Sequence, residues 1–303
     1  MSQSNKTSDG KSSGQHIKNP TELLPYLISL WPQKSRTQIK NLLTNKQIVI
    51  NGKTVTKHNA IVKPGDRVAI AAKQSQVSGA DSELFTIVHE DNALIVINKQ
   101  AGVLTIATEG EKTRTAYSAL SRYVKQQHPS NKIFIVHRLD RDTSGLLVFA
   151  KKPEIQKSLQ ENWNEVIIRR TYLAIAEGVV KEREGQIRSW LHENRCMTLF
   201  SSQNPDGGKL AITNFKVVRR SAAYSMLEVD LLTGRKNQIR VHLKDLGHSI
   251  AGDRKYGAKT NPIGRMGLHA SHLEFIHPIT REHLKFKAPA PKKFLFLFCE
   301  GKH

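Results

Sequence analysis

Residues 136–145 read VHRLDRDTSG, and the carboxylate Asp140 stands there between Arg138 and Arg141. Apolar runs flank the segment on both sides, Ile133 to Val136 and Leu146 to Phe149. A carboxylate so placed is either half of a surface ion pair or a group held charged for work on an anionic substrate. A second arginine-bearing segment, LLTGRKNQIRVHLKDLG at 231–247, bears on the choice. Ile239, Leu243 and Leu246 recur at helical spacing and predict a buried stripe, with Arg240 at its edge. An arginine mounted on a core-packed helix can project into a cleft, where it would orient a loop aspartate and favour its charged form. Spacing alone does not bring the two together.

Two further segments carry candidate chemistry. Arg170-Thr171-Tyr172 opens a predicted strand, where the phenol is either an amphipathic packing group or an acid or base. GLHASHLEFIHPIT with the following residues holds His269, His272, His277 and His283. Their H-x-x-H spacing lacks the H-E-x-x-H pattern of zinc hydrolases, and no carboxylate is suitably placed. They are read as strand and loop residues, and no metal site is expected.

The elements that must position these groups fall into two bodies. After a polar tail (1–19), residues 20–72 predict a small module. ELLPYLISLWP is a helix, and Ser35 with Gln38 three places on is a capping box opening a second helix. Arg36 and Lys40, four residues apart, share a basic face of that helix. Asn51-Gly52 between β-rich runs signals a hairpin, and Pro64-Gly65-Asp66 a second turn. A small, polar linker at 73–83 follows. Beyond Leu84, strands such as FTIVHEDNALIVINK, KIFIVH, GLLVFAKK, TYLAIAEGVV, KLAITNFKVVRR and YSMLEVDLLTG alternate with helices at TAYSALSRYVKQQ, IQKSLQENWN and KNQIRVHLKDLG. The fold class expected over 84–303 is α+β: a mixed, mainly antiparallel sheet flanked by helices.

Composition restricts the partners. Across 303 residues, 47 Lys plus Arg face 26 Asp plus Glu, a formal charge of +21. A chain this basic most often meets a polyanion, because each neutralised phosphate releases counterions. Membrane lipid is the competing polyanion. The apolar run FLFLF near the C-terminus is far short of the roughly 20 residues that span a bilayer. The first twenty residues lack the apolar core of a secretory signal. Cys196 and Cys299 have no metal-ligand spacing. A cytoplasmic, monomeric protein that handles structured RNA is expected. Neither G-x-G-x-x-G nor a Walker pattern occurs, so a nucleotide cofactor is not expected, and a methyltransferase is disfavoured.

Ser35 to Val55 together with Pro64 to Val68 resembles the S4 RNA-binding domain, whose basic helix grips structured RNA. HRLDRDTSGLLVFAK (137–151), RTYLAIAEG (170–178), GGKLAITNF (207–215), LLTGRKNQIRVHLKDLGHSIAGDRKYG (231–257), LHASHLEFIHPIT (268–280) and KAPAP (287–291) resemble, in order, the RluA-type pseudouridine synthases. His137 points to that type and away from the RsuA-type enzymes, which usually place Gly there. The resemblance implies cofactor-free isomerisation of uridines from an N1–C1′ to a C5–C1′ link. It places Asp140 on the essential aspartate, Arg240 on its arginine partner and Tyr172 on the tyrosine beside the uracil, proposed to take the C5 proton. Arg138 falls on the arginine that fills the space of the flipped nucleotide. Thr143 shapes the loop, and His137, Thr143, Arg36 and Lys40 join Arg138 as expected RNA contacts. An appended S4-like module favours large-subunit ribosomal RNA over transfer RNA. A non-catalytic RNA-binding assembly factor is the rival. Three positions depart from the family pattern: Lys236-Asn237 stands where Thr-His is usual, and Gln100 where Pro is usual.

Overall fold

The computed structural model describes residues 19–32, 34–44, 48–70 and 79–299. The expected polar tail up to residue 18 and the linker up to residue 78 lie outside the described residues. The chain divides into two compact units, Met1–Ser75 and Gln76–His303.

In the first unit a short strand β1 (Thr21–Glu22) leads into helices α1 (Leu23–Leu30) and α2 (Arg36–Thr44). Strands β2 (Ile48–Ile50), β3 (Lys53–Thr54), β4 (Ile61–Val62) and β5 (Val68–Ile70) follow, paired as β1-β4 and β3-β2-β5. The capping box forms: the Ser35 amide donates to Gln38 Oε1 at 2.8 Å, and the Gln38 amide to Ser35 Oγ at 3.2 Å. The Asn51-Gly52 turn has both residues at positive φ (52° and 80°), the geometry that matches strand twist in a two-residue hairpin. Leu23, Leu27, Ile39, Leu43, Ile48 and Val62 make its core, which leaves Arg36 and Lys40 exposed.

The second unit is built on one eleven-stranded sheet. Its strands are β6 (Phe85–Glu90), β7 (Leu94–Lys99), β8 (Phe134–Ile135), β9 (Ser144–Ala150), β10 (Ile167–Glu177), β11 (Glu184–Glu193), β12 (Leu199–Ser202), β13 (Lys209–Arg220), β14 (Tyr224–Leu231), β15 (Leu268–Ile276) and β16 (His283–Lys287). They run in the order β12-β11-β13-β14-β10-β15-β9-β7-β6, with β16 on β15 and β8 on β9. Only β9 with β15 is parallel. Helices α3 (Ala116–Gln127), α4 (Pro153–Glu161), α5 (Trp163–Val166), α6 (Gln238–Asp245) and α7 (Lys292–Phe296) pack on it. The unit is α+β with a mainly antiparallel sheet. Among the described residues no helix is long and apolar enough to cross a membrane.

The apolar run of β9 is continuous because both its faces are covered. Leu147 and Phe149 join Ala119, Leu120 and Tyr123 of α3, while Leu146, Val148 and Ala150 join Ile155 and Leu159 of α4. Truncating such a side chain to alanine costs about 2–5 kcal/mol. Gly145 is obligatory at the start of this strand. Its φ is 115°, and a Cβ there would lie 2.2 Å from the Ala270 carbonyl oxygen of β15. In β10 the alternation sends Ala174 and Ala176 toward Ile239 and Leu243 of α6, and Ile175 toward Phe294 of α7.

Three expectations change. The strand predicted at KIFIVH shrinks to Phe134–Ile135, because the chain leaves the sheet at Val136 to form the loop carrying Asp140. Tyr172 does not open its strand: β10 begins five residues earlier, and Tyr172 pairs with Val229 on one side and Ala270 on the other. Helix α6 starts at Gln238, since Asn237 before it adopts a left-handed φ of 54°.

Candidate active site

The loop from His137 to Thr143 is fixed by groups outside it. Thr105 clamps Leu139 on both sides: its Oγ1 donates to the Leu139 carbonyl at 2.8 Å and accepts from the Leu139 amide at 3.2 Å. The amide of Gly102 donates to the Arg141 carbonyl at 2.9 Å. Beneath lies Lys99, fully buried, its Nζ donating to the carbonyls of Gln100, Val103 and Arg141 at 3.0, 2.7 and 3.1 Å. Burial pulls the Lys99 pKa down to about 7 against the opposing pull of Asp142 and Asp140. These bonds set the loop before any ligand arrives, as a reacting group requires.

On the opposite wall, α6 presents Arg240. Its Nη1 donates to Asp140 Oδ2 at 3.0 Å, across one hundred residues of sequence. Its Nε and Nη2 form a fork on Asp253, at 2.6 and 2.7 Å. The Asp253 side chain is 2% exposed, against 30% for Asp140, so the fork anchors the guanidinium and Asp140 meets its outer edge. Asn237 completes the arrangement, accepting from Arg240 Nη1 at 3.1 Å and donating to Tyr256 Oη at 2.9 Å. The Tyr256 ring lies 4.8 Å below the guanidinium carbon. Burial opposes the charge of Arg240, but the hydrogen bonds and charge of Asp253, then of Asp140, outweigh it and raise its pKa. Asp140 therefore pairs with neither neighbour in sequence: Arg141 reaches Asp142 instead, at 3.5 Å.

Asp140, Arg240 and Tyr172 line one cleft of about 240 Å³, together with Arg138, Thr143 and Leu268. Tyr172 lies on the regular strand opposite a register shift in β15, where Ser271 is the extra residue. Burial, reinforced by Asp140 and opposed by Arg170, raises its pKa to about 12, so it rests as the phenol. Among the described residues Asp140 Oδ1 accepts no hydrogen bond, which leaves one carboxylate oxygen available to a ligand. Thr143 is buried, its amide bonded to the Asp140 carbonyl at 3.2 Å. Arg138 is exposed at the cleft, free of ion pairs among the described residues.

His137 lies beside the Asp140 cleft and not in it. Its Nε2 accepts from the Val148 amide at 3.1 Å, its ring lies 5.0 Å from Trp163, and burial lowers its pKa to about 3. It is a neutral tie between loop and β9, lining a neighbouring cavity rather than the Asp140 cleft. Arg36 and Lys40 belong to the first unit. Sequence reasoning missed Asp253, Lys99, Thr105 and the bridging role of Asn237. Only Asn237 left a signal, as one of the three positions that break the family pattern.

Comparisons with known proteins bear on the family and the fold. Residues 93–245 match the family model described as RNA pseudouridylate synthase, and residues 24–68 match the S4 domain. The Bacillus subtilis (strain 168) protein named uncharacterized RNA pseudouridine synthase YhcT is 38% identical over 261 residues, covering 85% of this chain and 86% of the relative. Ribosomal large subunit pseudouridine synthase D of Neisseria meningitidis (serogroup A, strain Z2491) is 32% identical over 280 residues, covering 88% and 74%. Among solved structures, human RNA Pseudouridylate Synthase Domain Containing 1 superposes with a TM-score of 0.56 at 26% identity, covering 71% of this chain and 86% of that one. A match of this length and identity, over a fold of the same kind, settles membership: the chain belongs to the RNA pseudouridylate synthase family, with an S4 domain in its N-terminal unit.

Proposed function

We propose that the protein isomerises particular uridines of large-subunit ribosomal RNA to pseudouridine, with Asp140 as the reacting group. The observation that carries the reading is the Asp140–Arg240 pair, bonded at one carboxylate oxygen with the other free of a hydrogen bond among the described residues, in a cleft shared with Tyr172. Substrate and product are isomers. The N1–C1′ bond breaks, C5 bonds to C1′, N1 gains a proton and C5 loses one, so no oxidant, reductant or cofactor enters the balance. The free Oδ1 of Asp140 serves either by attacking C1′ or by taking the C2′ proton; both routes need a carboxylate oriented by a cation. Tyr172 is the group for the C5 proton. A uridine inside folded RNA must first be extruded, at a cost of a few kcal/mol. Arg138, exposed at the cleft, fills the vacated space and offsets part of that cost.

The S4 match, the exposed Arg36 and Lys40 and the charge of +21 support structured RNA as the partner of a cytoplasmic, monomeric enzyme. The name of the Neisseria relative supports the large ribosomal subunit. Mapping pseudouridines in total RNA from cells with and without the gene tests the substrate. Loss of one or more large-subunit sites is expected. Losses confined to transfer RNA, or no loss, would overturn the assignment.

A further inference from the structure

Beside the Asp140 cleft lies a second cavity, of about 340 Å³, lined by His137, Gln160, Trp163, Arg170, Thr233 and Arg235 among others. The two cavities share Gly234 and Arg235. Arg170 is its central group. The sequence puts it two residues before Tyr172 on β10, so both side chains leave the same face of the sheet. Its Nε is buried and has no hydrogen-bond partner, and among the described residues the guanidinium forms no ion pair. Its one hydrogen bond among the described residues is a long one, Nη2 to the Leu231 carbonyl at 3.4 Å, and its carbon sits 5.8 Å from the Trp163 ring. Burial lowers its pKa, the mark of a cation without a counter-charge. Gly234 makes room for it: a Cβ there would stand 2.6 Å from Arg170 Nη1. An unpaired buried cation costs folding free energy, and a fold that retains one gains from an anion delivered later. His137, neutral and committed to Val148, supplies no charge, so the cavity's two cations are Arg170 and the exposed rim residue Arg235.

We infer that this second cavity seats the nucleotide adjacent to the extruded uridine, its phosphodiester on Arg170 and Arg235 and its base against Trp163. The assignment rests on the reading of the first cavity as the uridine site, because a strand that enters one cavity continues past Gly234 into the other. A guanidinium facing a phosphate and an aromatic face offered to a base are the two elements of single-strand binding.

The test uses the full chain in an Asp140→Asn background, with an eight-nucleotide oligouridylate as probe and affinity measured across a range of sodium chloride. Arg170→Gln is expected to weaken binding about tenfold at low salt and to reduce the log–log salt slope by about 0.7, one phosphate contact on a single strand. Arg170→Lys keeps the slope. Trp163→Leu weakens binding about fivefold or more with the slope unchanged, since stacking releases no counterion. Should Arg170→Gln lose its folded circular-dichroism spectrum, Arg235→Gln is to show the same reduction in slope. Folded Arg170→Gln or Arg235→Gln protein with an unreduced slope would overturn the subsite. Tritium release by Asp140→Asn from 5-tritiated RNA would overturn the catalytic reading instead, so the two failures are distinguishable.

Discussion

Two arginines on adjacent walls of this unit stand in opposite conditions. Arg240 has its Nε and both Nη groups engaged by Asp253, Asp140 and Asn237, and lies over Tyr256. Arg170, partly buried like it, has a long bond to a carbonyl, an aromatic neighbour and a buried N–H without acceptor. The first arrangement commits four of the five guanidinium N–H groups, so its main use is to hold a carboxylate still. The second leaves it waiting for an anion. A basic protein that performs chemistry on a polyanion needs both, because a cation able to capture phosphate is a poor guide for a carboxylate and the reverse also holds. Burial of an arginine thus says little until its acceptors are counted.

The contrast can be broken from the Arg240 side. Tyr172→Phe removes the candidate acceptor of the C5 proton and leaves both arginines in place. Turnover in tritium-release assays is expected to fall by about 10²–10⁴-fold with unchanged RNA affinity. Wild-type turnover rises with pH on the same reading, since phenolate grows about tenfold per unit below a pKa near 12; the variant loses that slope. Asp253→Asn pushes Arg240 toward the condition of Arg170. Half of a buried pair is then uncompensated except by Asp140, and denaturant unfolding is expected to show a loss of about 3 kcal/mol. A neutral effect would mean that the fork on Asp253 is dispensable.

Asn237 sharpens the contrast with a smaller effect. Asn237→Gly keeps the left-handed backbone at little cost and deletes two hydrogen bonds, to Arg240 and Tyr256. At about 1 kcal/mol net for the neutral bond to Tyr256 and about 1.5 kcal/mol for the charge-assisted bond to Arg240, turnover is expected to drop by at most roughly seventyfold. Asn237→Ala adds backbone strain and is expected to be the less stable of the two in thermal melts. Equal behaviour of the pair would mean that the left-handed backbone at 237 contributes nothing and that the lost side-chain bonds account for the whole effect.

What could be foreseen from the chain followed the range of the interactions. The Ser35–Gln38 box and the Asn51-Gly52 turn are local chemistry and are legible in a few letters. The α6 stripe was legible for the same reason, and with it the edge position of Arg240. The pairing with Asp140 spans one hundred residues, and only the ordered resemblance to a family suggested it. Lys99 closes LIVINK as a solvated lysine would; its burial arises because loop carbonyls from Val103 and Arg141 converge on it. Asp253 lies in a turn without periodicity, so nothing local marks it as the anchor of Arg240. The strand Glu184–Glu193 escaped notice because EGQIRSWLHE mixes charge with its alternation. His137 carries the family's letter, and its bond from the Val148 amide is a tertiary contact that the letters do not show.

The most direct measurement is tritium release from 5-tritiated large-subunit ribosomal RNA by Asp140→Asn beside the wild-type protein. The substitution preserves shape and one acceptor oxygen for Arg240, and removes the charge. The account expects a folded, RNA-binding protein whose release is reduced by at least about 10⁴-fold. Release within tenfold of the wild-type rate would contradict it and would move the chemistry away from this carboxylate.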